Sequence, residues 1–343
     1  ALEHLSNTAA SPEALLLVGD ARRAEGQLDE ARASYDRAAE SEPYVGLARA
    51  ARAALELEDE AFEEALAQAR LALEAAPLHP AVAPVVVAAM LANDATDEAM
   101  GVAERALAER PEDVRLLAAK ADVLLAQESW EEALTVLRDA VERDPDDAEL
   151  QAELGDAARG AAQFDESSEA YRKALELAPG NEQALLGLFQ LQVATHALTE
   201  AASTWGTIQE ADEVQVDKDT ALARVRYLVD AGTGRAGMRE LTRLSRWRSL
   251  RRNAEVRFAM AENLLQQGNY NRAYSMFARA RVLGGDRVDA YLGQALAQAL
   301  KKRNNRATDM LRTAADASIP DDAPEGADPP AYAKPRYLVT RGW

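Results

Sequence analysis

Residues 232–237 read GTGRAG, the G-x-G-x-x-G spacing with which a strand-to-helix turn holds a dinucleotide pyrophosphate on backbone amides. The preceding VRYLV at 225–229 has the residue types of a strand. Such a site needs a parallel sheet, and the flanks carry no second strand pattern. The glycines are therefore expected in a loop between two helices, with a nucleotide-binding enzyme as the distant alternative. The three histidines, His4, His79 and His196, form no H-E-x-x-H spacing. The acids of ELEDEAFEE at 56–64 straddle a helix end and the next helix start, where charges are normally solvated. DPDDAEL at 144–150 lacks the glycine and closing glutamate of a calcium loop. Without cysteine there is neither a disulfide nor a thiolate ligand. No catalytic residue, metal site or cofactor is expected.

The elements that would position any site repeat along the chain. Pro43, Pro77, Pro111, Pro145 and Pro179 recur every 34 residues, and such a period marks a stacked array. With proline at position 32, units start at Pro12, Gly46, Pro80, Val114 and Ala148. Position 20 then holds Ala31, Ala65, Ala99, Ala133 and Ser167, and position 27 holds Ala38, Ala72, Ala106, Ala140 and Ala174. Small side chains there let two antiparallel helices approach closely. Tyr35, Leu137 and Tyr171 at position 24 fill the space between neighbouring pairs. Proline lacks the amide proton and clashes with the preceding turn, so it marks the connection to the next unit.

These residues resemble the tetratricopeptide repeat family. The first unit has Leu15, Val18, Gly19, Ala31, Tyr35, Ala38 and Pro43 at the family's positions, and the fifth has Leu154, Gly155, Phe164, Tyr171, Ala174 and Pro179. A sixth unit starts at Glu182. The pattern returns at 254–287 with Ala261, Gly268, Tyr270, Ala273, Phe277 and Ala280, and a last unit starts at Val288. The resemblance covers 12–321 and implies an all-α fold, an α-solenoid (superhelix) of about nine antiparallel helix-pair repeats. Repeat arrays escape the ceiling of ~250–300 residues for one compact core, so 343 residues need not mean two globular domains.

The expected order is as follows. Residues 1–11 form the end of a preceding helix or a linker, and 12–215 form six regular, acidic units. Residues 216–253 form a degenerate, Arg-rich pair with about four extra residues and helices near 217–230 and 235–250. Two further units span 254–321. An acidic, Pro-rich linker and irregular C-terminal tail follow at 322–343, carrying Tyr332, Tyr337 and Trp343. No membrane span is expected, since the longest apolar run, at 81–92, is about half the length a bilayer needs. No signal peptide is visible and the chain starts at Ala1, so the expected location is cytoplasmic, or the envelope if a removed signal preceded Ala1. The Ala- and Arg-rich composition points to a bacterium.

Charge is divided along the chain. Residues 1–215 hold 44 acids and 16 bases, whereas 216–343 hold 14 acids and 23 bases, within a net −19. The segment 234–258 carries Arg235, Arg239, Arg243, Arg246, Arg248, Arg251, Arg252 and Arg257 against Glu240 and Glu255, with Phe258 at its end. Guanidinium groups suit planar carboxylates and phosphates. An acidic protein partner is the first reading, intramolecular or head-to-tail pairing with the acidic half of the chain the second, and nucleic acid or anionic lipid the last, since that same half would repel a long polyanion and leaves only a local contact. The resemblance implies a concave face lined by positions 2, 5, 9 and 12 of each first helix. Those positions place Leu47, Ala50, Ala54, Leu57, Ala81, Pro84, Ala88, Leu91, Ala118 and Leu125 there, an apolar strip suited to an amphipathic helix. The places where one subclass grips a C-terminal carboxylate hold Leu16, Asp20, Ala50 and Ala54, so that mode is rejected. Asp20, Asp122 and Asp156 at position 9 would repel an acidic peptide. A non-catalytic protein-interaction adaptor or scaffold is expected, with self-association open. The alternative is a spacing component of a bacterial envelope, secretion or motility machine.

Overall fold

The computed structural model describes residues 11–77, 79–211, 214–284 and 287–317. The helix end expected at 1–11 (apart from Ser11), His4 and the tail at 322–343 lie outside the described residues. Among the described residues there are eighteen helices and no strand. The chain divides into two compact units, Ala1–Ala184 and Leu185–Trp343.

Unit 1 contains α1 (Pro12–Ala24), α2 (Leu28–Ala38), α3 (Val45–Glu58), α4 (Phe62–Ala75), α5 (Ala83–Leu91), α6 (Thr96–Glu109), α7 (Val114–Ala126), α8 (Trp130–Arg143), α9 (Ala148–Gly160) and α10 (Phe164–Leu177). The division falls inside α11 (Glu182–Ala194). Unit 2 continues with α12 (Leu198–Glu210), α13 (Lys218–Asp230), α14 (Gly234–Leu244), α15 (Ala254–Gln266), α16 (Tyr270–Val282), α17 (Arg287–Leu300) and α18 (Asn304–Ala317). Within each unit helices pack mainly on their sequence neighbours, which is the organisation of a repeat array.

The turn inside each helix pair is built the same way. Gly26, Glu60, Asp94, Glu128, Ala162, His196, Gly232, Gly268 and Lys302 all have φ between +56° and +74°. A left-handed residue after a helix lets the next amide reach back and close the end. Ala61 N donates to Glu56 O, Gln163 N to Ala158 O and Asn269 N to Leu264 O, each at 2.8 Å. The first six of these residues are 34 apart, and the steps from His196 to Gly232 and on to Gly268 are 36 each. The odd repeat thus takes up its four extra residues as two on either side of one turn. First helices open on side-chain caps: Asp113 accepts from Arg115 N, Asp147 from Glu149 N and Leu150 N, Asp217 from Thr220 N, and Asn253 from Glu255 N.

The repeated small residues are where the helices meet. Ala31, Ala65, Ala99 and Ala133 are fully buried, as are Ala38, Ala72, Ala140 and Ala174. Ser167 replaces alanine at one of these places and stays satisfied by donating to Gly155 O at 2.7 Å. Gly19 and Gly155 make room for the aromatic of the second helix. A Cβ on them would lie 2.3 Å from the Tyr35 ring and 2.5 Å from the Tyr171 ring. Between the first two pairs an ion cluster adjoins the apolar contacts of Tyr35 with Leu55 and Ala38 with Ala48: buried Glu56 accepts from Arg32 at 2.8 Å and from Arg52 at 2.6 Å. Hydrogen bonds from Arg32, and then from Arg52, hold the Glu56 carboxyl below its ordinary range against the opposing effect of burial.

In unit 2, Leu228, Leu241, Leu244, Leu250 and Val256 form the core of the odd repeat. Here α14 ends at Leu244, six residues short of the helix expected over 235–250. Inward positions of a continuing helix after Leu241 and Leu244 would fall on Arg248 and Arg251. The chain instead makes successive tight turns, Trp247 N to Leu244 O, Leu250 N to Trp247 O and Asn253 N to Leu250 O. Those turns aim Leu250 inward and leave the arginines outside.

Candidate functional site

The glycine-rich motif sits where two helices join. VRYLV lies within α13 and is helical, so no strand precedes GTGRAG. Gly232 and Gly234 adopt φ of +63° and +55° to form the turn, and the Thr233 hydroxyl donates to Leu228 O at 2.5 Å. Gly237 is covered: a Cβ there would lie 1.8 Å from Thr233 Oγ1 and 3.3 Å from Asn263 Nδ2. The three glycines close a turn and a helix contact. His79 Nδ1 accepts from Ala81 N at 3.2 Å between two repeats, and His196 is exposed, 3.7 Å from Asp230. Among the described residues no group of His, Asp and Glu could hold a metal ion, and no helix is long and apolar enough to cross a membrane.

The residues of the expected concave strip divide. Ala50 is fully buried between helices. Leu47, Leu57 and Leu91 are half-buried against the core that joins α3 to α7, and Leu125 packs on the neighbouring cluster. Ala54 is half-buried and Ala88 exposed. The strip therefore presents the edges of side chains already engaged in packing.

The position-9 aspartates follow a rule that the sequence did not reveal. Tyr35 donates to Asp20 at 2.7 Å, and Tyr171 donates to Asp156 at 2.5 Å. In the unit of Asp122, position 24 is Leu137, which offers no hydroxyl. Asp122 stands near Glu149 and Glu153, and Glu153 Oε2 is buried without a hydrogen-bond partner. Burial, then the charge of Glu149, pushes Asp122 up to about 6. Burial, then the charges of Asp122 and Glu149, pushes Glu153 up to about 9. One readable signal was the missing tyrosine; the neighbour on the first helix of the next repeat, Glu153, was visible only in space.

The arginine-rich segment forms a charged surface of unit 2. Arg235, Arg239 and Arg243 recur at i, i+4 and i+8 on the open side of α14, and Arg246, Arg248, Arg251 and Arg252 follow on the turns after it. All seven are exposed, and none forms a salt bridge with a described residue. Of the two acids in the segment, Glu240 is already taken: Arg224 grips it with two bonds of 2.8 and 3.0 Å. Arg224 is itself stacked 4.6 Å from the Trp205 ring and 4.7 Å from the Tyr227 ring. Arg257 is half-buried and bonded to Arg251 O and the Met260 sulfur. Phe258 lies 6.0 Å from Phe277 as a packing residue.

Stacked helix pairs with small residues at their contacts define a repeat scaffold. The tetratricopeptide-repeat family matches residues 12–44 and 148–181 through one profile and 90–154 through a second. The chain carries tetratricopeptide repeats over those residues. The family is generally non-catalytic, and its fold is one of protein–protein interaction. Among solved structures, the human IFIT1 dimer with m7Gppp-AAAA is similar at 14% identity and TM-score 0.53, over 93% of this chain and 75% of that one. A tetratricopeptide repeat protein from Parabacteroides merdae has 13% identity and TM-score 0.47, over 87% and 98%. MamA from Desulfovibrio magneticus has 24% identity and TM-score 0.41, over 50% and 97%. At these identities the likeness to IFIT1 is one of fold alone. No curated protein matches the sequence.

Proposed function

We propose that the chain is a non-catalytic adaptor whose arginine surface, on α14 and the turns at 245–253, binds an acidic protein partner. The observation that carries this reading is the set of seven exposed arginines with no ion pair among the described residues. Exposed guanidinium groups left open on a rigid element can meet carboxylates in bidentate geometry without first breaking a bond. Leu250 and the half-buried Trp247 pin the turns beneath them, so the donors are held on packed backbone. The acidic balance of 1–215 disfavours a long polyanion running over the whole chain and leaves a local contact. The exposed edges of Leu57, Ala88, Leu91 and Leu125 add a second, apolar contact for a helical segment of such a partner.

The test is retention of labelled polyglutamate by immobilised chain, beside R243E/R246E/R248E/R251E. The wild type holds the peptide at low salt and releases it as salt rises, and the variant holds none. Equal retention by both forms contradicts the reading, and stronger retention of an oligonucleotide of equal charge moves the partner class to nucleic acid.

A further inference from the structure

The second helices of unit 1 all open on a pair of acids in one register: Asp29–Glu30, Glu63–Glu64, Asp97–Glu98, Glu131–Glu132 and Asp165–Glu166, each pair 34 residues from the last. In unit 2 the same place in α14, α16 and α18 holds Arg235, Arg272 and Arg306, with no acid in the first turn. The three arginines are exposed, as are nine of the ten acids.

The two ladders differ in what local folding explains. A helix N-terminus is the positive end of its dipole, so acids in the first turn stabilise their own helices. Arginine at that place works against the dipole, and unit 2 does so three times in succession. Local helix stability thus accounts for the acids and leaves the arginines without a folding role. Three acids, Asp29, Glu98 and Glu166, are bridged to Arg32, Arg70 and Arg138. Glu63, Glu64, Glu131 and Glu132 stay without an ion pair among the described residues.

Both ladders step by one helix pair, 34 residues at a time in unit 1 and 37 then 34 in unit 2. Resting on the reading of the arginine surface as a carboxylate-binding face, we infer that its partner is a second copy of this chain. The acid ladder of unit 1 in one molecule docks on the arginines of unit 2 in another. Like-charged units repel, so the contact sets unit 1 of one copy against unit 2 of the other. Such a contact uses different surfaces on the two copies: made twice in an antiparallel pair it closes a dimer, and made once it leaves free ends that extend the chain.

Sedimentation of the purified full chain over a concentration series tests this, at about 50 mM and about 500 mM salt, where screening differs severalfold. The wild type associates at low salt, at least about tenfold more weakly at high salt. R235E/R239E/R243E/R246E and E63K/E64K/E131K/E132K are each monomeric, folded by circular dichroism, and associate one-to-one when mixed, since each restores what the other lacks. A wild type that stays monomeric at low salt overturns the inference, as does association that neither reversal weakens. If it is monomeric yet binds polyglutamate through the arginines, only the self-partner fails. If it is monomeric and binds no polyglutamate, the carboxylate-binding reading fails with it.

Discussion

Replacing Glu153 with glutamine is predicted to stabilise the protein near neutral pH and to do nothing in acid. In the folded chain the Glu153 carboxyl is pushed up to about 9 from an ordinary 4.5. Between those values the native state keeps a proton that the unfolded chain releases, so stability falls as pH rises. Each pH unit in that window costs about 1.4 kcal/mol, giving a ceiling of about 4 kcal/mol near pH 7.5. Solvent reaches part of the side chain and Asp122 shares the charge, so a gain of about 1–2 kcal/mol is expected for Glu153→Gln. That gain corresponds to a Tm higher by about 2–6 °C. Near pH 4.5 both forms carry a neutral group and should melt together. Thermal denaturation by circular dichroism at the two pH values reads this directly. An unchanged Tm near neutral pH, or an equal gain in acid, would refute the account of Glu153 as a buried acid crowded by Asp122 and Glu149.

Glu56→Ala leaves Arg32 and Arg52 facing each other between the first two repeats, and should cost about 3 kcal/mol in urea denaturation, with a larger loss than for Asp29→Ala at the exposed rim. Because the Glu56 carboxyl is held low, its contribution is present above the ordinary carboxylate range and fades as pH falls through its folded value. Ala162→Gly removes a left-handed strain at φ +57° and should raise stability by about 0.5–1 kcal/mol, measured by the same denaturation. Gly155→Val drives a side chain into the Tyr171 ring and should lower stability by about 2 kcal/mol or more.

The repeat was readable because proline and alanine act through properties of their own: one cannot continue a helix, the other lets two helices touch. The turns inside each pair were harder to read. Glycine supplies the left-handed residue at Gly26, Gly232 and Gly268, but Glu60, Asp94, Glu128, Ala162, His196 and Lys302 occupy it elsewhere. Closure of the helix end imposes the conformation there, against local preference. The arginines were legible as a surface because their spacing on α14 leaves Leu241 and Leu244 for the core. The early end of α14 was not, because it depends on burying Leu250 rather than on any helix-stopping residue. The pairing of Tyr35 with Asp20, and the lack of its counterpart at Asp122, join different helices of a pair and appear only when the fold is built.

The most direct test of the arginine surface is differential modification of arginines by phenylglyoxal, mapped by mass spectrometry with and without polyglutamate. Arg70 and Arg115, more than half exposed in unit 1, serve as internal references. Severalfold slower modification confined to Arg235, Arg239, Arg243, Arg246, Arg248, Arg251 and Arg252 is the predicted result. Protection spread evenly over the chain, or found only in unit 1, would contradict it.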